Sequence, residues 1–352
     1  MKKKIKFGVV GLGHIGIKHV DAILSFKESE LVAIVDKLSF KELEFKRSRD
    51  FKYLEKFQFF DNIDQICKNQ EIDVVSICSP NGLHFEMAMK VILSKKHVLI
   101  EKPMTLNSNH ARILIETANK MDKIVFCVMQ NRFSPTIAWL KNLIKKNKMG
   151  KVFSIHVNCF WNRNMNYYKN SDWHGKLELD GGPLYTQFSH FIDILFWLFG
   201  GFSNIKADFF NFRKNKYLEF EDSGCLSFNF SDGIRGTLNY STCVWEKNFE
   251  SSIIVLAENG TVKIGGQYMD KLEYCNIKNY TPPNFSVSSS CNDYGSYKGS
   301  AANHRMVIEN LINVILKGDS VATNGDEGSK IVQIIEKIYS LRTKNKKNEH
   351  SK

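Results

Sequence analysis

Through the first third of the chain, short and almost wholly apolar runs alternate with amphipathic stretches. IKFGVV at 5–10, LVAIVD at 31–36, DVVSIC at 73–78, HVLI at 97–100 and IVFCV at 124–128 lack the in–out alternation of a strand with one wet face, and FQFF at 57–60 is a weaker member of the set. Between them, HFEMAMKVILSKK at 84–96 and SNHARILIETANKMD at 108–122 repeat apolar residues at helical spacing. Strands buried on both faces and separated by helices predict a parallel sheet covered on each side. After a helical stretch at 134–148 the pattern changes. KVFSIHVNCF, NIKADFFNF, SGCLSFNF, IRGTLNYST, SSIIVLA and TVKIG read as strands, with hairpin signals at Ser231-Asp232-Gly233 and Glu258-Asn259-Gly260. Helices are expected over 184–199, 301–317 and 326–342. The predicted class is α/β: an N-terminal parallel sheet, then an α+β domain with a large, mainly antiparallel open sheet.

The turn after the first strand carries chemistry. Gly11-Leu12-Gly13-His14-Ile15-Gly16 is a G-x-G-x-x-G set between strand and helix, and Asp36 closes the second strand 20 residues after Gly16. Such a turn brings backbone amides and a helix N-terminus to a pyrophosphate, and the later carboxylate accepts the ribose hydroxyls. The acid disfavours a 2′-phosphate, so NAD is the expected cofactor; the adjacent Lys37 leaves room for some use of NADP. A second turn at the same sheet edge, Ser79-Pro80-Asn81-Gly82-Leu83-His84, adds Ser79, Pro80, Asn81 and His84 as cofactor-side candidates, with Asn81 expected to cap the next helix. The N-terminal domain is thus read as a Rossmann unit over 1–131, followed by a substrate-binding and oligomerisation domain over 132–342 and a basic flexible tail over 343–352.

Composition narrows the classes. A chain of 352 residues with 43% hydrophobic content is long enough for two cores. The net charge of +12 gathers partly in the terminal runs MKKKIK and RTKNKKNEHSK, and the remaining lysines are interspersed with asparagine. That is solvated surface, not a nucleic-acid stripe. Eight cysteines are scattered without a CxxC pair or a histidine at ligand spacing, so free thiols and no metal site are expected. The apolar stretch after the first lysines is glycine-punctuated and short, which argues against a signal peptide. FIDILFWLFGGF is too short to span a bilayer and contains Asp193. The expected setting is the cytoplasm, with no membrane partner.

Lys102 ends the run HVLIEK at the C-terminal edge of a strand, where open α/β sheets place their ligands. Taken with Gly11-Leu12-Gly13-His14-Ile15-Gly16, the acid at 36, SPNGLH, Glu101-Lys102-Pro103 and QFSHFID, the chain resembles the Gfo/Idh/MocA oxidoreductases. The resemblance covers nearly the whole chain. It implies a Rossmann domain, an α/β domain whose open sheet forms a dimer or tetramer, and a reaction site where Lys102 and His190 face the carbon that gives up hydride. Glu101 and Lys102 would also lie on the cofactor side. The family's aspartate four residues before this histidine is replaced by Thr186, which leaves the proton transfer to Lys102 and His190.

The segments MQNRFSPT, YYKNSDWHGKLELDGGPL and DYGSYKGSAANH resemble one branch, the 3-dehydrogenases of UDP-N-acetylglucosamine or its uronate. By that resemblance Asn131 and Arg132 approach the cofactor or the sugar. Tyr168, Trp173 and Gln187 line the sugar pocket, and Tyr294, Asn303 and His304 lie on the nucleotide side. The implied reaction is oxidation of the C3 hydroxyl, with UDP-N-acetylglucosamine favoured over the uronate. The product would feed an aminotransferase making 3-amino sugars for a surface glycan or lipid A. Lys169 and Arg163 are the candidates to pair with a C6 carboxylate. An inositol or free-sugar dehydrogenase, or a non-catalytic NAD sensor, is the alternative.

Overall fold

A computed structural model describes residues 4–47, 51–285, 291–293 and 298–342. The chain divides into two units, Met1–Val128 with His304–Val332, and Met129–Asn303 with Gln333–Lys352. The first contains strands β1 (Ile5–Val10), β2 (Ser29–Val35), β3 (Gln58–Phe60), β4 (Val74–Ile77), β5 (His97–Ile100) and β6 (Val125–Cys127). They form one sheet in the order β3-β2-β1-β4-β5-β6, and every pairing is parallel. This is the dinucleotide-binding order, with its topological switch between β1 and β4. The apolar runs are continuous because both faces are covered: Phe7, Val9, Val74, Val75, Leu99 and Ile100 are fully buried.

Five helices accompany these strands: α1 (His14–Leu24), α2 (Phe40–Arg47), α3 (Ile63–Lys68), α4 (His84–Leu93) and α5 (Ser108–Lys120). Helices α2 and α3 lie outside the sequence expectations for physical reasons. The stretch FKELEFKR of α2 has no apolar stripe: Leu43 is buried while Phe45 is exposed. Helix α3 is under two turns long and is started by Asn62, whose side chain accepts the Asp64 amide. Asn107 does the same for α5.

The second unit is built on β7 (Val152–Phe160), β8 (Ser203–Phe210), β9 (Ser223–Asn229), β10 (Arg235–Ser241), β11 (Glu250–Ala257), β12 (Gly260–Gly265) and β13 (Lys271–Ile277). Their order is β13-β12-β11-β7-β10-β9-β8, antiparallel except for β7 beside β10. Strands β11 and β12 pair Ala257 with Gly260, so Glu258-Asn259 is the two-residue turn expected there. Strand β13 escapes the pattern because KLEYCNI is charged and mostly exposed at a sheet edge. One face of the sheet is packed. Ile155, Val157, Leu238, Tyr240, Ile253 and Val255 are buried, while His156, Asn158, Thr237 and Asn239 on the other face are half-exposed.

The helices of this unit are α6 (Pro135–Lys145), α7 (Met165–Lys169), α8 (Pro183–Thr186) and α9 (Ser189–Phe199). The single helix expected over 184–199 is therefore two. It breaks at Gln187-Phe188, where Phe188 leaves helical dihedrals (φ −108°, ψ 2°) and its ring packs against Trp161, Phe191 and Tyr240. Two helices close the described chain, α10 (His304–Lys317) and α11 (Gly325–Tyr339). A linear reading places both with the second domain, yet α10 packs on α1 in the first unit and the division falls inside α11. No helix among the described residues is long and apolar enough to cross a membrane.

Candidate functional site

In the first unit the glycine turn fits a dinucleotide by exclusion of side chains. Gly11 has φ +89°, and a Cβ there would lie 2.7 Å from the Cys78 carbonyl oxygen. A Cβ on Gly16 would sit 1.8 Å from the Gly11 carbonyl oxygen. Only glycine lets the loop approach β4 and lets α1 start this close to β1. Gly13 is the N-cap of α1, followed by His14 and Ile15, and leaves the helix end open for an anion. The Asp36 carboxylate accepts the Leu12 amide at 2.7 Å and the Leu38 amide at 3.0 Å. It is thereby held at the mouth of the glycine turn, half-buried, with Lys37 exposed beside it. A recess of about 380 Å³ next to it is lined by Asp36, Lys37, Leu38, Phe59 and Phe60, among others. These residues fit NAD. Replacing Asp36 by Asn keeps an amide-accepting oxygen but removes the charge, and is expected to raise KM for NAD⁺ about tenfold, the loss of one charge-assisted hydrogen bond of about 1.4 kcal/mol. Steady-state kinetics with NAD⁺ and NADP⁺ check this, since NADP⁺ use should rise.

The second turn has a different role from the one its sequence suggests. Asn81 lies within a 3-10 turn over Asn81–Leu83, and it is Leu83 that stands at the N-cap of α4, with no side-chain cap. His84 is fully buried, with Nδ1 2.8 Å from the Pro103 carbonyl oxygen and Nε2 2.9 Å from that of Ser79. Both ring nitrogens are thus taken by backbone, so His84 ties two loops together and does not offer its ring to a cofactor. Ser79 and Pro80 remain half-buried at this edge.

Lys102 follows β5 and is half-buried. Its backbone amide donates to the Glu101 carboxylate at 3.1 Å. Glu101 is 5% exposed, and its Oε1 lies 2.9 Å from His19 Nε2 and 3.4 Å from His304 Nε2. Burial resists the charge on Glu101, but the His19 hydrogen bond and the nearby His304 ring outweigh it and hold the carboxyl well below its ordinary range. Burial also opposes protonation of His19, yet Cys78 and Glu101 carry its pKa from 6.5 up to about 10. His304, equally buried, moves downward because burial dominates there. The His304 ring is 3% exposed and lies against Glu101 and His19 with neither nitrogen hydrogen-bonded.

A group whose pKa rises on folding stabilises fully below its unfolded value and ceases to do so as pH climbs through the folded one. His19 therefore contributes fully below pH 6.5 and its contribution fades as the pH approaches about 10. Thermal unfolding midpoints measured across that window should fall more steeply for the parent protein than for His19→Gln.

The second unit gathers a separate polar group. His190 lies in the first turn of α9, is 1% exposed, and has its Nε2 3.4 Å from Gln130 Nε2. Because α8 and α9 are distinct helices, the four-residue spacing from Thr186 does not mean one shared helical face. Thr186 Oγ1 instead donates to the carbonyl oxygen of Asp180 at 3.0 Å and to its carboxylate. Asp180 is fully buried and also accepts the Gly175 amide at 2.8 Å. A carboxylate thus stands beside Thr186 although none is at 186 itself; the signal was the Asp in LELDGG, which a fixed-spacing search passes over.

Arg132 donates through Nε to both oxygens of Asp193, at 3.1 and 2.9 Å, and lies over Trp197. Its guanidinium is engaged in a buried ion pair joining the 3-10 turn Gln130–Phe133 to α9, so the expected contact with cofactor or sugar falls away. Asn131 is buried in the same turn. Asn303 donates to the Gln130 carbonyl oxygen and to Ser134 Oγ, both at 3.2 Å. Gln187 donates to Tyr167 Oη at 3.1 Å. Tyr168 is 4% exposed and packs with Leu218 and Phe220; burial, with Asp180 nearby, pushes its phenol up. Trp173 is half-buried with its ring against His174. Arg163 stacks on Trp161 and Tyr167 and donates to the carbonyls of Asn162 and Lys298, so it is not held ready for a sugar carboxylate. Lys169 is exposed. Tyr294 lies outside the described residues.

A parallel sheet in this order, with a glycine turn shaped for a pyrophosphate and an acid at the end of β2, defines a dinucleotide-binding oxidoreductase architecture. Residues 5–129 match the oxidoreductase family model with an NAD-binding Rossmann fold, and residues 137–263 match the C-terminal domain of the same family. The chain belongs to the Gfo/Idh/MocA oxidoreductase family, and its cofactor is NAD. It is similar to the WlbA dehydrogenase of Bordetella pertussis solved with NADH and UDP-GlcNAcA (27% identity, 96% of each chain, TM-score 0.83). It is also similar to the WlbA dehydrogenase of Chromobacterium violaceum with the same ligands (26% identity, 98% of this chain and 95% of that one, TM-score 0.85). Glucose-6-phosphate 3-dehydrogenase of Bacillus subtilis is 29% identical over 197 residues, 55% of this chain and 53% of that protein. The chain spans about half the length of curated relatives such as this one in those matches.

Proposed function

We propose that the protein oxidises the C3 hydroxyl of a UDP-N-acetylamino sugar to a ketone. The observation that carries this reading is the whole-chain likeness to two dehydrogenases solved with NADH and UDP-GlcNAcA, at TM-scores of 0.83 and 0.85. Those ligands move the favoured sugar from UDP-N-acetylglucosamine to its uronate.

NAD⁺, bound by the Gly11–Gly16 turn and Asp36, supplies the hydride acceptor. The substrate carbon loses a hydride and its hydroxyl loses a proton, so the chain must provide a proton acceptor and hold the developing negative oxygen. In this reading Lys102 orients the hydroxyl and stabilises the charge on its oxygen. His190 takes the proton, with Gln130 against its ring. Asp180, through Thr186, supplies the carboxylate that the helix position itself lacks. Trp173 and Gln187 belong to the sugar side, and Asn131 and Asn303 shape the loop carrying Gln130. Assembly through the open sheet as a dimer or tetramer, and a following aminotransferase, belong to the same reading.

The test is to incubate the protein with NAD⁺ and each of UDP-N-acetylglucosamine, its uronate, glucose 6-phosphate and myo-inositol. Formation of NADH and a product two mass units lighter with a UDP-sugar supports the assignment. Faster turnover of a nucleotide-free substrate contradicts it and favours the second reading, to which the Bacillus subtilis relative points. Because cofactor can stay tightly bound, an arm with a 2-oxo acid, which takes the hydride from bound NADH and becomes the 2-hydroxy acid, is included and read by the 3-keto product.

A further inference from the structure

Lys102 is flanked by two residues that the interior of the first unit holds fast. On one side, the Glu101 carboxylate receives the Lys102 amide at 3.1 Å and His19 Nε2 at 2.9 Å, with His304 Nε2 3.4 Å away. His19 is fixed in turn by Ser76 Oγ, 2.8 Å from its Nδ1. On the other side, the Pro103 carbonyl oxygen lies 2.8 Å from His84 Nδ1, and the same ring reaches Ser79 through Nε2. The three histidines come from α1, α4 and α10 and are 1%, 0% and 3% exposed. None of them faces solvent, and all of them converge on the two neighbours of one half-buried lysine. Burying a carboxylate and imidazoles is costly unless they are paired, and Glu101, His19 and His84 find their partners around the Glu101–Pro103 turn, while His304 lies near Glu101 without a hydrogen bond.

We propose that Glu101, with His19, His304 and His84, is a positioning apparatus for Lys102, setting the direction of its side chain without itself touching substrate. The inference rests on the assignment of Lys102 to orienting the hydroxyl and stabilising its oxygen in the proposed reaction. The physical basis is that a reacting group must be held within a few tenths of an ångström of its productive place, and fixing the backbone on both sides of a loop lysine fixes the point from which its side chain leaves. Glu101 serves this better than a neutral side chain, because its charge holds both the His19 ring and the Lys102 amide on one carboxylate. The ligand-type atoms of His19, Glu101 and His304 also lie within 4.8 Å of one another, a spacing a divalent cation fits. The hydrogen bonds already made by Glu101 to His19 and to the Lys102 amide favour a cation-free cluster. The charged or titratable groups facing it are Cys78 at the end of β4, Lys18 on α1, and Lys102 itself.

Glu101→Gln and His19→Gln are compared with the parent as full-length protein. Glu101→Gln is expected to lower kcat about tenfold to a hundredfold with KM for the UDP-sugar and Kd for NADH nearly unchanged, and to displace the pH profile of kcat. His19→Gln, which retains an amide donor for Glu101, should recover most of the activity that His19→Ala loses. A purely structural role would lower the unfolding midpoint and the yield of active protein while leaving kcat per folded molecule and its pH profile in place, and that result overturns the proposal. Stoichiometric zinc in the purified protein, or loss of activity on dialysis against a chelator, also overturns it. Should Glu101→Gln fail to fold, His84→Gln tests the other flank with the same readouts.

A substrate-independent arm separates this inference from the functional reading. Reductively ¹³C-methylated protein gives a Lys102 signal identified by its absence in Lys102→Arg. A shifted signal and titration in Glu101→Gln supports positioning even if no UDP-sugar turns over, in which case only the functional reading has failed. An unmoved signal refutes positioning even if the UDP-sugar is oxidised.

Discussion

Lys102→Met is expected to lower kcat with the UDP-sugar by about 10²–10⁴-fold while NADH still binds, because the substitution removes the charge that orients the hydroxyl and stabilises its oxygen but keeps most of the side chain's volume. Lys102 is only half-buried, so its removal leaves the packing of β5 and the stability of the unit close to the parent's. Single-turnover reduction of NAD⁺ separates this from slow product release. The chemical step itself should slow, and deuterium at C3 of the sugar should then produce a larger isotope effect. A variant with kcat within a few-fold of the parent would remove Lys102 from charge stabilisation and leave His190 as the next residue to change.

The largest expected effect on stability is at Asp193. Its carboxylate is 1% exposed and receives Arg132, itself 4% exposed, through two nitrogens, with Trp197 under the guanidinium. Asp193→Asn leaves a buried guanidinium without its counter-charge, a loss of about 3–5 kcal/mol. Urea unfolding should show that loss in the midpoint with an unchanged slope. The double change Arg132→Met with Asp193→Leu should be less destabilising than Asp193→Asn alone, since the desolvation of both charges disappears together. If Asp193→Asn costs less than about 1 kcal/mol, the pair behaves like an exposed ion pair and the burial argument fails.

The strands of the first unit were legible because they are buried on both faces. IKFGVV, LVAIVD and DVVSIC carry their burial in their composition and need no tertiary information. The glycine turn was legible for a related reason: Gly11 and Gly16 are demanded by local backbone geometry that sequence spacing encodes directly. Strand β13 and helix α2 were not, because an exposed edge strand and a charged surface helix leave no apolar period to read.

The break between α8 and α9 was hidden by the opposite problem. PLYTQFSHFIDILFWLF is apolar throughout, so periodicity cannot show where Phe188 leaves the helix to join Trp161 and Tyr240. Side-chain pairings were the least legible layer. The residues meeting at Glu101 are 82 positions away at His19 and 203 positions away at His304 (304 − 101), and no local pattern announces a contact of that kind. His84, Arg132 and His304 were expected on the cofactor or substrate side. What the sequence could not reveal was that each is held by buried partners: backbone carbonyls, Asp193 and Glu101 in turn. Asp180 is a further instance, six residues before Thr186, because a loop brought a carboxylate to a position that helical spacing had left empty.

The most direct measurement of the central claim follows one atom. The protein is incubated with NAD⁺ and UDP-N-acetylglucosaminuronate carrying deuterium at C3, and the reduced cofactor and the sugar nucleotide are analysed by mass spectrometry. The account predicts one deuterium in the NADH and a deuterium-free 3-keto sugar nucleotide. Unlabelled NADH, or label retained on a substrate that is oxidised at another carbon, would contradict it.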